Sequence, residues 1–546
     1  MKSSKLTVIA SFLKVNVIPS ARLYSLGATL GGTILLSACM DGATPVTSDN
    51  NELKEQQSVS VKQAQKQPNV IYILVDDMGI GDIGPYGQKH IKTPHLNKMA
   101  AEGVTFSQHY AGNTVCAPSR ASLMTGLHSG HTQIRGNYEL GGFTDDTEFG
   151  QMPLTPGTPT LGKLMQKAGY KTALIGKWGL GGPESYGVPT KQGFDYFFGY
   201  LDQKQAHNHY PTHLWKNEER FPLNNEWLDP HGQLSEGEDP SDPKSYEQFK
   251  RSDSAQQRLT NEALSYIDTN KNNPFFLYLA FAAPHAALQA PDKYIEEYAH
   301  IEDTPYDGTT DGKYLPSYRP RATRAAMISH IDEGIGQVLE KLKTLGLEED
   351  TLVIFSSDNG PSFEGGADLE FFNSNGEFRG QKRDLYDGGI RMPTVARWPG
   401  KIEGGVISDH VSAFWDVMPT LAELVGAEAP KKTDGISFLP SLLNHRDQKE
   451  HDSLYWEFHH WDGSHSQAVR IKDDVKGDWK AIRLFNKKNL TGSDIELYNL
   501  KNDPGEMNNV ADKNPELVKK AKKLLKSSRT RSFMDSWNFD YHAKKK

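Results

Sequence analysis

Hydrophobic residues along this chain fall into two kinds of run. The first is unbroken: Asn-Val-Ile-Tyr-Ile-Leu-Val-Asp over 69–76, with similar stretches at 170–176, 274–280 and 351–357. Apolar side chains at every position leave no face for water, so these runs predict strands buried on both sides of a sheet. The second kind recurs every three or four residues. Residues 160–168 carry it, as do 322–345, at Ala326, Ile328, Ile331, Ile335, Val338, Leu339 and Leu342, and both predict helices with an apolar face. Strands alternating with helices predict an α/β fold, a large mixed and mainly parallel sheet sandwiched by helices. Gly/Pro/Asp-rich loops at 223–244 and 304–320 interrupt this plan, and loops of that length tend to form functional rims. After about residue 443 the pattern shortens to alternating aromatic strands at 453–458, 467–471 and 479–484, then a basic helix at 515–526. That change predicts a smaller C-terminal α+β domain of antiparallel strands and a helix. No internal repeat is seen.

The first forty residues follow a different rule. Lys2, Lys5, Lys14 and Arg22 precede an uncharged stretch that ends Leu36-Ser37-Ala38-Cys39. A basic segment, a short apolar one and small residues describe an export signal rather than a spanning helix. Its ending resembles the bacterial lipobox, which implies cleavage before Cys39, lipid on its thiol and a periplasmic or cell-surface lipoprotein, at the outer membrane. A plain signal peptide that happens to contain a cysteine is the alternative. Residues 40–67 are polar and predict a flexible tether. The expected division is therefore 1–39 signal, 40–67 tether, 68–443 main α/β domain and 444–546 C-terminal subdomain.

Charge excludes one class of partner. A net charge of -8 over 546 residues, with no basic block before Lys544, Lys545 and Lys546, argues against a nucleic-acid surface. Cysteine is more informative. With lipid on Cys39, the exported domain keeps one thiol, Cys116, and no disulfide framework. That thiol is either inert and buried or it is the chemistry.

Two strand ends carry oxygen ligands: Asp76 and Asp77 after the first apolar run, Asp358 and Asn359 after another. Carboxylate and amide oxygens converging at the carboxyl ends of parallel strands suit a hard cation such as calcium or magnesium, although each pair alone is also an ordinary polar turn. Cys116-Ala117-Pro118-Ser119-Arg120 then places a thiol at a helix start and a guanidinium one turn on, the makings of an anion site. A buried structural cysteine beside a surface arginine is the plainer reading of the same five residues.

Cys116 to Arg120, followed by Leu123-Met124-Thr125-Gly126, resembles the maturation motif of the type I sulfatases of the alkaline-phosphatase-like superfamily. The resemblance runs over most of residues 68–512, through Val75-Asp-Asp-Met-Gly79, Gly176-Lys-Trp178, Pro284-His285, Ser357-Asp-Asn-Gly360, Gly380-Gln-Lys-Arg383, Asp387-Gly-Gly-Ile-Arg391 and Leu497-Tyr-Asn-Leu500 with Asp503-Pro504. It implies that a maturation enzyme oxidises Cys116 to formylglycine, whose hydrate attacks sulfur. It implies one Ca2+ held by Asp76, Asp77, Asp358, Asn359 and position 116. It also implies Arg120 beside the hydrate and Lys177, His285 and Lys382 on the sulfate oxygens. A carbohydrate alkoxide is a poor leaving group that calls for a proton donor, and His285 is the candidate acid, a histidine that caps a loop being the competing reading. Two departures stand out. Gly179 occupies the place of a family histidine that is a candidate base for expelling sulfate, and His207 and His209 are the nearest substitutes or else bind substrate, as Arg379 is expected to do. Asp387 stands where many relatives have glutamate.

The stretch around 199–215 resembles bacterial enzymes acting on sulfated galactose or N-acetylgalactosamine. The expected substrate is therefore a sulfated oligo- or polysaccharide, a galactan such as carrageenan or a glycosaminoglycan. The aromatic stretch 455–461 either lines a sugar cleft or packs the small domain. The rivals are a phosphonate or phosphodiester hydrolase of the same superfamily, for which no second metal-ligand set is found, and a non-catalytic glycan-binding lipoprotein.

Overall fold

The computed structural model of the protein describes residues 67–460, 462–473, 477–486 and 492–540. The export segment with Cys39, the tether up to residue 66, Trp461 and the terminal lysines lie outside the described residues. The described residues belong to one compact unit. Among them no helix is long and apolar enough to cross a membrane.

A ten-stranded sheet forms the body. From edge to edge it runs Val406–Ser408, Val104–Phe106, Thr394–Arg397, Thr351–Ser357, Asn69–Val75, Phe275–Ala280, Lys171–Lys177, Tyr196–Tyr200, His213–Lys216, Glu219–Pro222. The five strands from Thr351–Ser357 to Tyr196–Tyr200 are parallel, and antiparallel neighbours flank them. Four of these five, all but Tyr196–Tyr200, are the strands the unbroken apolar runs predict, and every residue of Asn69–Val75, Phe275–Ala280 and Thr351–Ser357 is buried. Along Asn69–Val75 the side chains alternate between two cores: Ile71, Ile73 and Val75 join one, Val70, Tyr72 and Leu74 the other. Helix Pro320–Thr344 covers the first core through Ile328, Ile331, Ile335, Val338 and Leu342. Helix Cys116–Thr125 and helix Leu161–Lys167 lie in the second.

The second sheet is antiparallel, with Ser453–His459, His465–Asp473, Gly477–Phe485 and Glu496–Asn499 in sequence order. Three of these strands are predicted by alternation; Glu496–Asn499 is too short to show a period. One face, with Leu454, Trp456 and Phe458, packs on Tyr110, Val115 and Trp415 of the body. The other, with Tyr455, Val469 and Ile471, is covered by helix Pro515–Ser527. Tyr455, Trp456 and Phe458 of the aromatic stretch therefore pack in the interior. Trp456 is fully buried and its indole N–H donates to the Ala111 carbonyl at 2.9 Å. A buried network fastens the two sheets together: Lys480 Nζ lies 2.7 Å from Asp387 and 3.0 Å from Glu506. Asp387 thus serves this junction.

Candidate active site

Parallel strands deliver their carboxyl ends to one rim. Asn69–Val75 runs into Asp76 and Asp77, Thr351–Ser357 into Asp358 and Asn359, Lys171–Lys177 ends on Lys177, and Phe275–Ala280 leads on to His285. All of these side chains are buried. Cys116 reaches the same rim as the first residue of a helix whose ten residues are all buried. That helix start is fixed twice. The Ala117 N–H donates to Asn137 Oδ1 at 3.0 Å, and the Ser119 hydroxyl donates to the Asp358 carbonyl at 2.5 Å. Pro118 falls in the first turn, where a missing N–H costs nothing.

The oxygen cluster closes through direct contacts. The Asp77 N–H donates to Asp358 Oδ1 at 3.2 Å, with Asp77 itself at φ 64°. Asn359 Nδ2 donates to Asp77 Oδ1 at 2.7 Å, while Asn359 Oδ1 is buried with no partner among the described residues. The Cys116 thiol donates to Asp76 Oδ1 at 3.2 Å.

Cations ring these oxygens. Arg120 Nε and Nη2 each lie 2.9 Å from Asp358 Oδ2, and its Nη1 donates to the Lys177 carbonyl at 2.7 Å. Lys177 Nζ donates to Asp76 Oδ2, and Lys382 Nζ to Asp77 Oδ2 at 2.7 Å. Lys382 also lies 3.0 Å from His285 Nε2. An ammonium has no acceptor, so Nε2 accepts, and the proton of His285 sits on Nδ1, which donates to the Ala286 carbonyl.

The electrostatics of this cluster are unbalanced. Burial works to raise Asp76, but Lys177, His285, Arg120 and Lys382 together hold its carboxyl well below the usual range. Asp358 goes the other way: burial and the neighbouring Asp76 push it up, more than Arg120 pulls it down. Burial, then Asp76, push the Cys116 thiol well above its ordinary value, so the unmodified side chain is a neutral thiol, a weak nucleophile.

Other expected residues divide. His207 comes to the site: its ring stacks on His285 with centroids 4.6 Å apart and planes 10° apart. His209 stands behind that ring, buried, with Nε2 2.8 Å from the His285 carbonyl. Arg379 is not brought to the cluster. Its guanidinium lies over Tyr386 at 3.9 Å and donates to Tyr498 Oη at 3.2 Å, on the side of the second sheet. Sequence reasoning missed Glu364, 3.5 Å from Lys382 and 2.7 Å from Arg383, and missed His231 and Tyr314, which join the His207–His285 stack. The signal for the last two lay in the long loops, since His231 sits in 223–244 and Tyr314 in 304–320.

A second group, His128, His131 and Asp434, brings three donor atoms together. It does not suit a metal. The Gly130 N–H donates to His128 Nδ1 at 3.1 Å, so Nε2 of the neutral ring carries the proton and points it at Asp434.

Comparison with known proteins bears on this geometry. The sulfatase family profile matches residues 68–427, and the profile of the N-sulphoglucosamine sulphohydrolase C-terminal region matches 376–531. N-acetylgalactosamine-6-sulfatase of Mus musculus is 32% identical over 394 residues, covering 70% of this chain and 67% of the relative. Steryl-sulfatase of Mus musculus is 30% identical over 482 residues, covering 77% and 71%. Among solved structures, Ps i-CgsB in complex with k-i-k-neocarrahexaose superposes with a TM-score of 0.65 at 26% identity, over 85% of this chain and 93% of that one. A sulfatase from work on glycosaminoglycan metabolism by Bacteroides thetaiotaomicron gives 0.63 at 25% identity, over 85% and 100%.

Proposed function

Because this chain belongs to the sulfatase family and is a sulfuric ester hydrolase, we propose that it removes sulfate from an extracellular glycan, using a formylglycine made from Cys116 and one calcium ion. The observation that carries this reading is the place of Cys116: its Sγ lies 3.2 Å from Asp76, inside a ring of Arg120, Lys177 and Lys382. Oxidation of this side chain by a maturation enzyme replaces a neutral thiol with an aldehyde, whose hydrate has an oxygen to offer.

The donor set fits calcium. Asp76, Asp77 and Asp358 offer carboxylate oxygens, and the buried amide oxygen of Asn359 has no partner among the described residues. Bound there, calcium would polarise the sulfate and lower the proton affinity of the hydrate. The chain's own residues do the rest. Arg120 stays locked on Asp358 and cannot swing away. Lys177 and Lys382 are fixed cations in a dry site, where they count most towards an anion that spreads its charge as the ester bond breaks. His285 faces the leaving oxygen as acid. As the ring stands Nε2 accepts from Lys382, so His285 must take up a proton at Nε2 before it can give one to the leaving oxygen.

A sulfated galactan or glycosaminoglycan is the substrate class supported by the relatives, one of which was solved with a neocarrahexaose and another of which acts on N-acetylgalactosamine 6-sulfate by name. The basic and apolar segment ending at Cys39 supports export and lipid anchoring, which would set the enzyme where such polymers arrive. The test is a panel of defined sulfated galactan and glycosaminoglycan oligosaccharides, scored by free sulfate and product position. Release from steryl or aryl sulfates alone would overturn the glycan reading.

A further inference from the structure

The turn after strand Tyr196–Tyr200 carries two side chains that the chemistry above does not use. Gln203 is 4% exposed, and its Nε2 is buried with no partner among the described residues. Such an amide is costly to leave unpaired. Its position is given by Gly179. A Cβ built there would lie 2.5 Å from Gln203 Nε2 and 2.7 Å from its Cγ. Gly179 follows Lys177 by two residues, and its N–H continues the pairing of that edge by donating to the Leu201 carbonyl. Gly179 lies just past the carboxyl end of the strand that carries Lys177, so the Gln203 amide lies against that rim of the sheet. Gln151 supports it, with Oε1 accepting from the Gln203 N–H at 2.9 Å.

Four residues on, His207 stands over His285. Its ring lies flat on His285, and Nδ1 is 3.1 Å from His231 Nε2. Its other nitrogen has no protein partner among the described residues. Tyr314 packs edge-on against both His207 and His285, with centroids 5.3 Å and 5.8 Å away. One short turn thus presents an unpaired amide against Gly179 and a half-buried imidazole over His285.

We propose that Gln203 and His207 form the subsite for the sugar ring that bears the sulfate, each binding a hydroxyl of that ring, with His231 as the positioning residue for His207. The inference rests on the glycan reading above and deepens it. Sugar hydroxyls donate and accept, which matches an amide and an imidazole. A site built to pair a hydroxyl discriminates strongly against ligands that lack it. Gly179 has a role in this arrangement, since any side chain there would evict the Gln203 amide.

Calorimetric titration of Cys116→Ser protein, which keeps the ester whole, tests the subsite. Gln203→Leu keeps bulk without the amide, and His207→Phe keeps the stacked ring without nitrogens. Each is expected to weaken binding of the sulfated oligosaccharides about tenfold, leave inorganic sulfate within about twofold, and leave the melting temperature within about 2 °C. His231→Phe is expected to weaken the oligosaccharide by a smaller factor and not inorganic sulfate. Equal losses for both ligands, unchanged oligosaccharide affinity, or no oligosaccharide binding to the Cys116→Ser parent would overturn the subsite. Wild-type turnover of the same panel separates the two readings. Turnover with unchanged binding in Gln203→Leu and His207→Phe removes the subsite and leaves the glycan substrate. A panel left untouched by the wild type removes both.

Discussion

The Sγ of Cys116 stands 3.2 Å from Oδ1 of Asp76, the carboxylate whose other oxygen takes the ammonium of Lys177. A thiol so buried and so placed beside negative charge is a poor nucleophile as it is, and a well-held one once changed. Expressed with a formylglycine-generating enzyme, the peptide carrying position 116 should show the mass of an aldehyde in place of the thiol. Cys116→Ser should lose at least about four orders of magnitude in kcat/KM and keep the melting temperature. Full activity with an intact thiol would reject the assignment.

The proposed calcium ion would take the same cluster of carboxyls. Three buried carboxyls, two of them paired with lysines, leave Asp358 raised and the Asn359 oxygen idle. Prolonged chelation should therefore depress activity at least about tenfold, and calcium should restore it and raise the melting temperature, since a ligand of the folded state stabilises it. Magnesium, which demands stricter octahedral geometry, should restore less. A chelated enzyme of undiminished activity would show that these four residues hold no essential ion.

Much of this site was legible along the chain because its residues sit at the ends of unbroken apolar runs. Asp76 and Asp358 follow strands whose burial on both faces needs no partner to be recognised, and Cys116 opens a helix with its proline in the first turn. What was hidden depends on long-range packing. Glu364 meets Lys382 through loop geometry, and the His207–His285 stack joins residues from different strands' exits. The aromatic stretch at 455–461 was ambiguous because alternation says which residues share a face but not what covers it. In the fold, Tyr110 and Trp415 cover one side and the Pro515–Ser527 helix the other.

The junction of the two sheets should show in the pH dependence of stability. Burial, then Asp387 beside it, push the Glu506 carboxyl up to about 7 against the pull of Lys480. A carboxyl raised in the folded state favours folding while protonated. Its contribution is complete below the ordinary value of 4.5 and is lost as pH rises through about 7. Between those limits Glu506 alone should cost at most about 1.4 kcal/mol per pH unit. Glu506→Gln cannot titrate, so the fall in melting temperature from about pH 5 to pH 8 should be shallower in this variant than in the wild type. An unchanged slope would mean that Glu506 is already ionised in the folded protein.

Gly179 and Gln203 should prove coupled in stability. Gly179 has φ 76°, where an added Cβ is strained by about 1–2 kcal/mol whatever surrounds it. The Gln203 side chain adds a steric term, because its amide and Cγ lie within 2.7 Å of that Cβ. Gly179→Ala should therefore cost more in the wild-type background than in Gln203→Ala, where only the backbone term remains. Chemical denaturation of the four proteins in this cycle measures the difference, expected at about 0.5–3 kcal/mol for residues in contact. Simple additivity would show that the amide moves aside freely, and the same freedom would weaken the case for its holding a sugar hydroxyl. Strong coupling would establish that the glycine keeps room for that amide.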